Sequence, residues 1–268
     1  MFRNYNDMPL TLDQVRHAAP SVFASAPRGD VSDKYAFIST EAIVDKLLSD
    51  GWSIFGAGQS RVRNRVDGEF YAKHVLRLRH TDKNLVDVGD CAAEVILTNS
   101  HDRSSGFSLL AGLYRLVCSN GMTVSDGVSE KISVRHLGGE TAERVVEGVY
   151  TVISDLPKIG DKVKEFSEIM LTPEEENAYA SAALKLRWDN APVVSNQLLN
   201  ARRSDDKGSD LWRVFNRVQE NIVRGGLRGH ASTGRKTTTR AIKSVNADLK
   251  FNRALFALTE EMAKLKAA

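Results

Sequence analysis

The chain has 268 residues, 42% of them hydrophobic and 26% charged, which is long enough for a real core and excludes the disordered class. Its net charge of +3 imposes no global field, so any electrostatic function depends on where the charges sit. No run approaches the roughly 18 apolar residues of a membrane span, and the first twenty residues lack the apolar stretch of a secretory leader, which predicts a soluble, cytoplasmic protein with no membrane partner.

Residues 1–35 are rich in Ala, Pro, Ser and Asp, with Pro9, Pro20 and Pro27 and little periodicity, and read as an irregular arm. Ser39-Thr40-Glu41 then opens a helix in which Ile43, Val44, Leu47 and Leu48 fall at helical spacing, and Gly51 suits its stop. From Trp52 to Leu137 the period changes to two. Segments 60–66, 71–80, 92–99, 107–118, 122–124 and 131–137 read as strands, separated by turn chemistry at Asp67-Gly68, 81–84, 104–106 and Asn120-Gly121. Consecutive strands with short breaks predict an antiparallel meander of about five or six strands, with helices packed on one face, in an α+β fold. Cys91 and Cys118 are too few for a disulfide framework and read as small buried side chains in a reducing compartment.

Beyond Gly138-Gly139 the pattern is helical, so residues 36–139 read as helix plus sheet and 140–268 as a helical region with a basic loop, packed on the sheet as one domain. Residues 140–176 hold ten acidic and four basic side chains. Pro173 followed by Glu174, Glu175 and Glu176 marks a helix start, the acids favoured there by the helix dipole. Asp210 opens another helix with Leu211, Phe215, Val218 and Ile222 on one side, ended by Gly225-Gly226, and a last helix runs from Ala247 to Lys266.

Catalytic signatures are absent from this pattern. There is no phosphate loop, Gly56-Ala57-Gly58 lacks the third glycine of a dinucleotide fingerprint, and no nucleophile elbow occurs. The histidines at 17, 74, 80, 101, 136 and 230 form no metal-ligand spacing. The expectation is a non-enzyme with no catalytic residues, no bound metal and no cofactor. Gln219, Glu220 and Asn221 read as a solvated helix face.

The positive signal is basic. Arg61, Arg63 and Arg65 alternate along one strand segment, and Lys73, Arg77 and Arg79 along the next, so each triplet is co-facial. A two-residue Asp67-Gly68 turn sends the triplets to opposite faces. A three-residue Val66-Asp67-Gly68 turn, with Gly68 at positive φ, gathers all six cations and Tyr71 on one face, and is favoured because Leu76 and Leu78 then point to a core. Such a face suits either phosphate contact or a solvated sheet edge that discourages aggregation.

A second basic stretch spans 222–253, where Arg224, Arg228, Arg235, Lys236, Arg240, Lys243, Lys250 and Arg253 stand against Asp248 alone. Its Gly, Ser and Thr content offers backbone N–H groups and hydroxyls beside guanidinium groups, the donors that phosphate oxygens accept from. The functional expectation is single-stranded nucleic-acid binding, DNA favoured, with annealing included. Cations on the strand face and in the basic stretch track phosphates, while Trp52, Phe55 and Tyr71 are candidates for base stacking. The acidic 140–176 and basic 222–253 segments also fit a homo-oligomer. The rival is a protein-binding modulator that uses its acidic segment to block a host defence or regulatory protein.

GLYRLVCSNGM (112–122), LWRVFNRVQENIVRGG (211–226) and TTTRAIKSVNADLKFNRALFAL (237–258) together resemble a family of phage and plasmid proteins known as domain of unknown function 932, over about residues 35–260. The resemblance implies a mobile-element origin and a bacterial cytoplasm, and no activity. The order of a helix, GWSIFG, antiparallel hairpins and further helices is also similar to phage single-strand annealing proteins, in architecture and not in any residue motif.

Overall fold

The computed structural model describes residues 8–32, 35–62, 67–82, 87–88, 91–115, 120–123, 132–134 and 141–267. The chain forms two compact units, residues 1–159 and 160–268, each taken by itself below.

The first unit is built on an antiparallel sheet. Its four long strands are β1 (Trp52–Gln59), β2 (His74–His80), β4 (Cys91–Asn99) and β5 (Phe107–Arg115), adjacent in that order. Three short strands complete it: β3 (Asp87–Val88) beside the start of β4, and β6 (Asn120–Thr123) and β7 (Ile132–Val134) along β5. The meander forms as expected, with two differences. The first long strand precedes the arginine-rich segment instead of containing it, and Asn120-Gly121, expected in a turn, begin β6.

Strand alternation sorts the sheet. His74, Leu76 and Leu78 share one face of β2, and Val75, Arg77 and Arg79 the other. Helix α1 (Leu12–Ala18) leads into a 3-10 turn (Pro20–Phe23) which, with helix α2 (Thr40–Ser49), belongs to the His74 face, where Thr40 and Ser21 both reach the imidazole at 2.9 Å. Ser39 caps α2 by accepting from the Ala42 N–H, and Gly51 at φ 87 leaves the helix as predicted. The supposed arm is not irregular. Thr11 and Gln14 form a capping box that starts α1, and Val15, Ala19 and Val22 are fully buried. The buried apolar side chains described in this stretch, Val15, Ala19, Val22 and Ala24, are too few and too small to create a visible helical period.

Helix α3 (Thr141–Glu168) runs from the first unit into the second. The second unit adds α4 (Pro173–Arg187), α5 (Leu211–Arg224) and α6 (Val245–Ala267), and a hairpin of β8 (Arg228–His230) and β9 (Lys236–Thr238). Thr172 and Glu175 form the capping box of α4 and Pro173 occupies its first turn, the start that the sequence predicts. The core joins Phe166, Phe215 and Phe256, with Phe256 5.6 Å from Phe166 and 6.1 Å from Phe215 between ring centroids. Tyr179 of α4 and Thr259 of α6 share a buried 2.7 Å hydrogen bond, and burial pushes the Tyr179 hydroxyl well above its ordinary pKa. Among the described residues no helix is long and apolar enough to cross a membrane.

Candidate nucleic-acid interface

The basic stretch folds into the β8–β9 hairpin rather than a flexible loop. Gly225 (φ 64) and Gly226 (φ 84) turn the chain out of α5. A Cβ on Gly225 would sit 2.7 Å from the Arg240 carbonyl carbon, so the returning strand crosses directly over this glycine. At the tip, Ala231 donates to the Arg235 carbonyl, Gly234 donates to the Ala231 carbonyl, and Gly234 at φ 79 supplies the left-handed bulge. The register pairs Arg228 with Thr238, Gly229 with Thr237 and His230 with Lys236. Arg228, His230, Lys236 and Thr238 therefore share one exposed face, while Gly229 and Thr237 turn to the other and are half-buried.

The free edge of β8 meets residues 192–197. His230 N–H donates to the Pro192 carbonyl at 2.8 Å, and Gln197 Nε2 donates to the Arg228 carbonyl at 2.9 Å. A Cβ on Gly229 would lie 1.8 Å from the Pro192 oxygen, so only glycine fits there. Between segment and hairpin lies a groove of about 700 Å3, with Pro192, Val193 and Val194 on one side and Arg228, His230 and Lys236 on the other.

The hairpin base is anchored by side chains that the sequence reading placed in solvent. Gln219, Glu220 and Asn221 of α5 are all buried, and Asn216, which no expectation named, is buried with them. Asn221 Nδ2 donates to the carbonyls of Leu198 and Asn200, and its Oδ1 accepts from Arg202 Nε at 2.7 Å. Arg202 also donates to the Gly225 carbonyl, tying this network to the glycine that leads into the hairpin. Glu220 Oε1 takes Arg203 at 3.3 Å and Arg224 at 3.2 Å. Arg217 donates to the carbonyls of Asp206 and Gly208 and pairs with Glu176 at 3.0 Å. The available signal was Asn, which disfavours a helix interior: Asn216 and Asn221 are retained where carbonyls need donors.

The expected cations now divide. Arg228, Arg235, Lys236, Arg240 and Lys243 are exposed and none forms an ion pair among the described residues. Arg224, expected to contact phosphate, is held by Glu220 at the hairpin base instead. In the first unit, Arg77 and Arg79 are buried and clamp the fully buried Glu94, at 2.5 and 2.8 Å. They cannot reach a strand in solution. Their stacking partners are corrected with them: Trp52 is core, edge-on to His80, and Phe55 is half-buried beneath the Arg79 guanidinium, 4.2 Å from its ring centroid.

Of the remaining first-unit candidates, the described ones lie outside β1 and β2. Arg61 is exposed just beyond β1, and Lys73 and Tyr71 are half-buried before β2. Arg63 and Arg65 lie outside the described residues. The expected turn geometry also fails: β1 ends at Gln59 opposite His74, Asp67 rather than Gly68 takes positive φ, and Gly68–Phe70 form a short 3-10 helix. Among the described residues no group of three or more His, Cys, Asp and Glu side chains is placed to hold a metal ion.

The family model described as Domain of unknown function (DUF932) matches residues 27–256. The chain belongs to this family. Two relatives from Escherichia coli (strain K12), named UPF0380 protein YfjQ and UPF0380 protein YafZ, are each 36% identical to it over 258 residues, covering 96% of this chain and 92% of each relative. No solved structure matches the chain. The family match spans the hairpin and all of α5, so the Arg202–Asn221–Gly225 anchor lies within the family domain.

Proposed function

We propose that the second unit binds the phosphate backbone of single-stranded nucleic acid, DNA in preference, in replication or recombination of a phage or plasmid. The observation that carries this reading is the division among the cations of the unit. Arg202, Arg203, Arg217 and Arg224 serve an internal network, whereas Arg228, Arg235, Lys236, Arg240 and Lys243 stand exposed on one hairpin and the segment after it. Cations held on a fixed backbone without counter-charges suit a polyanion, and phosphate contact needs no further catalytic group. The first unit contributes no cationic strand face to this reading, since Arg77 and Arg79 neutralise Glu94.

The test is a titration of the full chain with single-stranded and duplex oligonucleotides at two salt concentrations. Binding should weaken steeply with salt, because each neutralised phosphate releases condensed counterion. Affinity no tighter than about 10 μM for either form at low salt, far below ordinary specific binding, would contradict the proposal.

A further inference from the structure

The groove beside the hairpin has a mixed lining that phosphate contact alone does not require. Pro192, Val193 and Val194 supply an apolar strip, and Val194 leaves 67% of its surface exposed next to Arg228, His230 and Lys236. The strip is fixed at both ends. The Pro192 carbonyl is held by the His230 N–H, and Gln197 accepts from the Val194 N–H at 3.2 Å while donating to the Arg228 carbonyl. Gly229 lets the hairpin descend onto the segment, which sets the groove's depth. A volume of about 700 Å3 is within the range of small-ligand sites.

We infer that this groove seats one unpaired base of a nucleic-acid strand whose adjoining phosphates lie on Arg228 and Lys236. The inference rests on the phosphate-binding reading above and adds a source of discrimination to it. An unstacked base has two flat apolar faces and a polar edge, matching an apolar strip flanked by His230 and Thr238, on the hairpin face that also carries Arg228 and Lys236. A base within a duplex is already stacked on both faces and cannot enter, although its phosphates can still meet the cations. Charge complementarity selects a polyanion over an apolar peptide for the same groove. Because the walls are held by hydrogen bonds before anything binds, seating a base orders little new structure.

The test uses the full chain and three fluorescent probes of equal length: an oligothymidylate, an abasic strand with the same phosphates, and a duplex. The base-bearing strand should bind about tenfold tighter than the abasic strand, the size a single seated base supplies. Val194→Ser, at a side chain too exposed to be needed for folding, should narrow that gap and leave the abasic affinity unchanged. Equal, salt-sensitive binding of base-bearing and abasic strands would overturn the base site while leaving phosphate binding in place. A gap that V194S does not change would place the base elsewhere and equally overturn it. Failure of all three probes to bind would remove the underlying reading as well.

Discussion

Glu94 has no solvent-exposed surface, and each of its carboxylate oxygens meets a buried guanidinium, one from Arg77 and one from Arg79. Removing its charge takes from two buried guanidinium groups the carboxylate that both of them clamp. Glu94→Gln should therefore destabilise the protein by about 3–5 kcal/mol in urea unfolding, whereas Arg235→Ala on the exposed hairpin should change stability by less than about 0.5 kcal/mol. His74 makes a second residue-scale prediction. Its Nδ1 lies 2.9 Å from Ser21 Oγ and 3.1 Å from the Ala72 carbonyl, and its Nε2 2.9 Å from Thr40 Oγ1. Asn99 Nδ2 donates to Thr40 Oγ1 and Ser21 Oγ donates to Gln59 Oε1, so one consistent chain of donors runs through a neutral imidazole protonated on Nδ1. Burial, reinforced by the neighbouring His101, pushes the His74 pKa down to about 3. The unfolded chain binds this proton near pH 6.5 and the folded protein does not, so stability is full above that pH and falls as pH drops toward 3. The loss from this group at pH 5 should be roughly 2 kcal/mol, and the imidazole nitrogen shifts of His74 should stay those of the neutral ring. A His74 that titrates near pH 6.5 in the folded protein would refute the buried donor chain.

At the scale of elements, the hairpin depends on a glycine that no turn requires. Gly229 sits mid-strand, and its missing side chain is the space that the Pro192 oxygen occupies. Gly229→Ala should cost about 1–3 kcal/mol by forcing strand and segment apart, and hydrogen exchange should show lost protection at His230, whose N–H depends on Pro192. Unchanged protection there would mean that the segment does not support the hairpin. Local chemistry made several elements legible. Ser39 and Gly51 bound α2, Pro173 with Glu175 starts α4, and Asp210 with Gly225 delimits α5. The β8–β9 hairpin was not legible, because three-residue strands of Arg, Gly, His, Lys and Thr carry no apolar alternation. Its register comes from Gly234 and from the fit of Gly229 against a segment more than thirty residues earlier.

Over the whole molecule, parity along β2 correctly put Arg77 and Arg79 on one face, but parity does not report which face is covered. The informative residue was on another strand: Glu94, a single carboxylate within the otherwise apolar run CAAEVIL, needed buried cations as partners. The basic stretch was legible as charge because it lacks compensating acids. Which of its members are exposed depends on Glu220, whose burial no periodicity disclosed. The central claim is that the exposed hairpin cations meet phosphates, and the salt slope of single-strand binding tests it most directly. Four to six contacts predict a log–log slope of roughly −3 to −4 for the unaltered protein. Changing Arg235, Lys236 and Arg240 together to Ala should flatten it by about two units, weaken all sequences alike and leave stability almost unchanged. A slope that stays the same in this triple variant, with the fold intact, would contradict the claim that these cations neutralise phosphate.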